Sequence, residues 1–238
     1  MDIEDLKKAY CKKKEIYGDK AYTQISNLLA EAKAAHKIDF EQSDAFKKTK
    51  VAGKTPDHEQ SWRAFKGKNL EKLISYIIEA EVKALGVSIA DGNSLEKTKG
   101  ENLSPTLSKV KRNLVIDYGE FGMHLPDADM IIYNPKDANV LALLSVKVTL
   151  RERIAQTGYW KLKIANQPIT KHIKVFFITL DEDGTLTQKS PSKKGRAITE
   201  VDTDGCYVLS ETTIQESDKV QMFDKFIVAV KKILPNKN

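Results

Sequence analysis

Apolar positions in this chain recur first at helical and then at strand spacing. Leu6, Tyr10 and Ile16, followed by Ile25, Leu28, Leu29 and Ala32, predict two helical pieces over residues 2–35, broken near Gly18. Residues 37–60 are polar, with Lys47, Lys48, Lys50 and Lys54 ahead of Pro56, and read as a connector and internal boundary. Ser61 is a plausible N-cap for a helix that runs to about Leu85 and stops at Gly86. Leu70, Leu73, Ile74, Ile77, Ile78, Val82 and Leu85 form a single stripe on that helix. A Gly-, Ser- and Lys-rich loop with Pro105 spans residues 91–111, and then strand spacing takes over. Strands are expected at Asn113–Tyr118, Met130–Tyr133, Val140–Val148, Ile173–Leu180 and Cys206–Leu209. Helices are expected at Leu150–Ala165 and Lys219–Leu234. The expected organisation is an N-terminal helical segment, 1–60, packed on a core of 61–238.

The composition narrows the classes. A hydrophobic share of 41% and a charged share of 30% over 238 residues describe a globular chain with one good core. The formal net charge of +6 favours a polyanionic partner. The two cysteines, Cys11 and Cys206, have neither disulfide-framework nor zinc spacing, which fits a reducing, intracellular compartment. The N-terminal MDIEDLKKAY lacks the apolar run of a signal peptide, and no stretch approaches a membrane span. No Ser-His-Asp arrangement, phosphate-binding glycine loop or dinucleotide fingerprint is visible. His124 is expected to make a local hydrogen bond. Asp181-Glu182-Asp183-Gly184 lacks the further ligand positions of a calcium loop and reads as a turn. The basic stretch Pro191–Arg196 reads as a loop, either solvated or against phosphate.

The candidate chemistry lies in Leu125–Lys163. Asn134-Pro135 opens a turn that closes by about Asn139, so Met130–Tyr133 and Val140–Val148 are expected to pair as a hairpin. Side chains alternate along a strand, which puts Asp127, Asp129 and Ile131 on one face and Ser145 with Lys147 on one face of the next strand. Two carboxylates and an ammonium can then converge at the open end of the hairpin. Glu71 falls inside the apolar stripe of its helix, where a carboxylate is costly to bury unless paired or metal-bound. Glu81 is its rival on the same helix.

Pro126-Asp127 followed by Ser145-Val146-Lys147 resembles the signature of PD-(D/E)XK nucleases. With Thr149-Leu150-Arg151-Glu152-Arg153 it resembles the type II restriction endonuclease branch that reads CCGG-type sites. The resemblance covers about residues 61–163. It implies a mixed α/β sheet flanked by helices, Mg²⁺-dependent cleavage of double-stranded DNA, and a homodimer reading a palindrome with a CCGG-type or GG/CC core. It also implies a methyltransferase protecting host DNA, in a bacterial or archaeal cytoplasm. In that branch Ser often stands where Ser145 stands, the missing carboxylate coming from elsewhere in the fold. Glu71, within FKGKNLE, is the residue the resemblance assigns. Asp127 is then a metal ligand, with a backbone carbonyl near Val146, and Asp129 shares or replaces it. Lys147 orients the attacking water. Arg151, Glu152 and Arg153 read guanines and cytosines. One departure is that Trp160, followed by Lys161, stands where several relatives carry the relocated acid. Two rivals stay open: a structure-directed repair or resolving nuclease of this fold, and a DNA-binding module in which Ser145 marks lost catalysis.

Overall fold

The computed structural model describes residues 2–150 and 153–235, and for Arg153 the backbone alone. Three helices open the chain: α1 (Ile3–Tyr17), α2 (Ile25–Gln42) and α3 (Asp44–Val51). The long α4 (His58–Ala84) follows. Then come β1 (Ser88–Asp91), α5 (Gly92–Lys97), α6 (Pro105–Arg112) and the short strands β2 (Ile116–Asp117) and β3 (Met123–His124). The second half holds β4 (Met130–Tyr133), β5 (Val140–Lys147), α7 (Arg153–Ala165), β6 (Lys174–Thr179), α8 (Lys194–Asp202), β7 (Gly205–Val208), β8 (Val220–Met222) and α9 (Phe226–Lys232).

Six strands form one mixed sheet in the order β1-β4-β5-β6-β7-β8. The first three pair antiparallel and the last four parallel. The expected hairpin is present, with Met130 opposite Leu144. Both faces of the sheet are covered, so β5 is apolar on both sides and Val140–Val146 is buried throughout. On one face Leu144, Val146, Phe176, Ile178 and Tyr207 pack with Leu70, Leu73, Ile74, Ile78 and Val82 of α4, with Leu6, Leu28 and Leu29, and with Phe226. On the other face Ile131, Leu143 and Val175 meet Ile164 of α7, while Phe177, Cys206 and Val208 meet Leu150 and Ile154.

The sequence expectations fail where polar composition hides structure. Residues 37–60 are not a connector: α2 runs on to Gln42 and α3 follows, capped by the Ser43 hydroxyl, which accepts from Phe46 N–H at 3.2 Å. Asp57, not Ser61, caps α4, its carboxylate accepting from Gln60 N–H at 3.0 Å. Gly86, at φ 82°, ends that helix as expected. The 91–111 loop holds α5, α6 and the end of β1. The edge strand of the main sheet is Ser88–Asp91, and Asn113–Tyr118 contributes only β2, paired with β3 in a separate ribbon. Lys219–Leu234 starts as strand β8 before it turns helical.

Pro191–Arg196 is also not a free basic loop. Arg196 is fully buried, donating to Glu200 Oε1 at 2.8 Å, to Leu186 O at 2.6 Å and to Gln215 O at 2.9 Å. A guanidinium out of water needs such partners, because an unpaired buried charge is worth several kcal/mol of destabilisation. Ser217 closes the network by donating to Glu200. Cys11 and Cys206 are both free thiols, the second buried. Among the described residues no helix is long and apolar enough to cross a membrane.

The acidic turn after β6 is built around Asp181, whose carboxylate accepts from Thr185 N–H at 2.8 Å and from Leu186 N–H at 3.0 Å. Burial pushes this carboxyl up to about 6 from an ordinary 3.8, against those two donors, which favour its charged form. A folded-state value above the unfolded one means that the contribution to stability is complete below about pH 3.8 and is lost as pH rises through about 6. Urea unfolding of the protein and of Asp181→Asn across this window should therefore show the unsubstituted protein losing stability relative to the variant as pH rises. A constant difference between them would contradict the assignment.

Candidate active site

Strand lengths create the site. β4 begins at Met130, opposite Leu144, whereas β5 runs on to Lys147. The Asp129 N–H still bonds Leu144 O at 2.9 Å, but beyond it β5 has no strand partner on that side. The Asp129 side chain takes over: its Oδ2 accepts from Val146 N–H at 2.6 Å. A buried backbone donor needs a partner, and here a carboxylate supplies it. Lys147 Nζ donates to the same carboxylate, at 2.7 Å to Oδ2 and 3.0 Å to Oδ1. Asp129 is only 6% exposed, so each of the two charges depends on the other. Ser145 is buried on the same β5 face as Lys147.

Asp127 is placed differently. It is exposed, and its Oδ2 accepts from Gln156 Nε2 of α7 at 2.7 Å. The structure therefore brings Asp129, Ser145 and Lys147 together at the end of the hairpin and ties Asp127 to α7 instead. Glu71 lines one cleft with Asp129, Asp91, Lys68, Lys72 and Lys97, about 670 Å³ in volume. Glu81 opens into another cleft, with Tyr10, Cys11 and Phe223. Of the two rival glutamates, only Glu71 shares a cleft with Asp129. Among the described residues no three His, Cys, Asp or Glu side chains stand as a preformed metal cage. The donors on the cleft are nonetheless carboxylate oxygens, the class that suits Mg²⁺, which keeps several of its waters and takes only one or two protein carboxylates.

Arg151 and Glu152 lie outside the described residues, and Arg153 opens α7. Trp160 is half-buried against the core on the α7 side. Its neighbour Lys161 is held in an ion pair with Asp204, so neither supplies an acid to the site. His124 bonds locally, its Nε2 3.0 Å from Phe121 O.

The residues that sequence reasoning missed are Asp91 and Gly92. Asp91 ends β1 opposite Met130 and caps α5, accepting from Ser94 N–H at 2.6 Å. Gly92 donates its N–H to Asp129 O at 3.0 Å, and a Cβ at this position would stand 1.8 Å from Ala128 O. That approach is possible only without a side chain. An Asp-Gly pair in a polar stretch reads as an ordinary turn, and nothing local signals that it clamps the segment presenting Asp129. Gly92→Ala must push the Ala128–Asp129 peptide away, at a cost of about 1–3 kcal/mol by overpacking. Urea unfolding should show that loss, whereas Gly67→Ala, with open space around its Cβ in α4, should not.

Comparison with known proteins agrees with this architecture. The family model described as BsaWI restriction endonuclease type 2 matches residues 106–228. A putative type II restriction enzyme of Methanocaldococcus jannaschii, MjaVIP, is 39% identical over 173 residues, 71% of this chain and 74% of that protein. A probable type II restriction enzyme of Helicobacter pylori, HpyAORF263P, is 36% identical over 127 residues, 53% of this chain and 64% of that protein. Among solved structures, PspGI in complex with substrate DNA and AgeI in complex with DNA each superpose with a TM-score of 0.54 at 14% identity. Each covers 98% of this chain, and 93% and 92% of the respective structures, and at that identity the likeness concerns the fold. With the mixed sheet, the hairpin and more than half of the chain in agreement, the protein belongs to the BsaWI family of type II restriction endonucleases, which are site-specific deoxyribonucleases.

Proposed function

We propose that the protein makes Mg²⁺-dependent double-strand cuts in DNA at a short palindrome with a CCGG-type or GG/CC core. It would act as a homodimer, each protomer cutting one strand, since a two-fold site is most simply read by a two-fold protein. A methyltransferase of matching specificity would protect host DNA in a bacterial or archaeal cytoplasm. The observation that carries the reading is the Asp129–Lys147 pair at the open end of the hairpin, in contact with Val146 N–H, with Asp129 on the cleft that Glu71 lines.

Asp129 and Glu71 are the carboxylates that would hold the metal, with the Val146 carbonyl as a further oxygen ligand. Mg²⁺ bound there supplies positive charge to the scissile phosphate and lowers the pKa of a bound water. The Lys147 ammonium, held within 3.0 Å of both Asp129 oxygens, is positioned to orient the attacking water and to meet the negative charge that develops on the phosphate. Ser145 keeps this end of β5 compact and adds no charge, which leaves the second carboxylate to Glu71. Asp127, bonded to Gln156, is assigned a supporting role: it links the strand entry to α7, the helix that begins at Arg153. Arginine against guanine O6 and N7, and glutamate against cytosine N4, would read the core bases, each good contact contributing about 1–3 kcal/mol of discrimination.

The test is digestion of unmethylated genomic DNA of known sequence with Mg²⁺, followed by sequencing of the ends. Ends clustered on one palindrome with a GG/CC core are expected, and scattered ends would exclude the sequence-reading role of Arg151 and Arg153. Lys147→Ala and Asp129→Asn should each slow cleavage by roughly 10²–10³-fold. Asp127→Ala should cost less than either, and the reverse ranking would return the metal-ligand role to Asp127.

A further inference from the structure

The cleft beside Asp129 carries more than the groups assigned to chemistry. Lys68, Glu71, Lys72, Ser75 and Glu79 follow one another along one side of α4, at the spacing that places residues three and four apart as neighbours. Lys97 faces them from α5. That short helix cannot drift, because Gly92 at its start bonds Asp129 O at 3.0 Å and presses on Ala128, while Asp91 caps it. Lys97 is thereby tethered to the segment that presents the buried carboxylate.

The charge balance in the cleft is then informative. Asp129 is compensated by Lys147. Lys7, also on the cleft, is paired with Glu4 at 2.7 Å, and Glu79 with Lys83 at 2.7 Å. The Asp91 carboxylate accepts from a backbone N–H. Among the described residues Lys68, Lys72 and Lys97 have no ion-pair partner, and the first two are one helical turn apart, about 6 Å between Cβ atoms. Three exposed ammonium groups on two elements border the Asp129 cleft and outnumber the Glu71 and Asp91 carboxylates that line it with them. Lysine is a flexible point charge that contacts phosphate without reading bases.

We propose that Lys68, Lys72 and Lys97 form a phosphate track that holds the backbone of duplex DNA across the Asp129 cleft, supplying sequence-independent affinity; this rests on the endonuclease reading above. The contacts fix the register of the duplex, while discrimination among bases falls to the Arg151–Arg153 element.

Phosphate contacts release counterions, so each one steepens the fall of log K with log salt by about 0.9. Binding of a random-sequence duplex of about 30 base pairs, without Mg²⁺ so that no cleavage occurs, is measured by fluorescence anisotropy between about 50 and 200 mM KCl. The triple variant Lys68→Ala, Lys72→Ala, Lys97→Ala should have a slope shallower by about 2.7, which amounts to roughly 40-fold less affinity lost over that salt range. Replacing the same three lysines by arginine should restore the slope, which a purely structural role would not require. A triple alanine variant that binds with the slope of the unsubstituted protein would overturn the track and leave the endonuclease reading standing. Absence of any binding of this duplex by the unsubstituted protein would also overturn the track, and the endonuclease reading would then stand or fall on the genomic digestion alone.

Discussion

The hydrogen bond from Val146 N–H to Asp129 Oδ2, and the Lys147 ammonium on the same carboxylate, hold this molecule to one arrangement. β5 outruns β4, and its leading end would otherwise carry a buried amide and a largely buried cation without partners. One aspartate answers both needs. Because the residue that completes the ladder also presents a carboxylate to the cleft, the packing of the sheet and the geometry of the site cannot be altered separately. Gly92 extends the same constraint outward, since its contact with Ala128 and Asp129 fixes where α5 begins.

Around that point the fold is a sheet buried on both faces, which is why β5 is almost uninterrupted in its apolar character. Lys147 is the one charged residue in the strand and lies at its last position, where the cover ends. The far side of the sheet resolves its own buried charge in another way. Arg196 is surrounded by Glu200 and two carbonyl oxygens, a network with no opening toward the cleft, and its role is to lock α8 against the loops at Leu186 and Gln215. The two cations thus differ in kind: Arg196 is fully enclosed by acceptors, while Lys147 is partly exposed at the strand end, on a carboxylate that borders the cleft.

Membership in the BsaWI family and the geometry of the pair support one another. Asp129 reaches Lys147 directly, and Glu71 lines the Asp129 cleft from α4, whose opposite side packs into the core. A carboxylate inside an apolar stripe was the sequence feature that pointed to Glu71, and its place on the Asp129 cleft gives that feature a physical sense.

The residues alone determined the hairpin, the stripe of α4, the strands β6 and β7 and the elements of the family signature, because each is written in contiguous periodicity or in a short motif. They determined less where polar segments fold against a neighbour. α3, α5 and α8 carry few apolar positions, and β1 is only four residues long, so their existence depends on what they dock against. Arg196 looked like a solvated charge because its partners lie about ten and twenty positions away along the chain. The choice between Asp127 and Asp129 could not be read from alternation, which treats them as equivalent. Only the different ends of β4 and β5 separate them, leaving Val146 N–H to one carboxylate and the approach of Gln156 to the other.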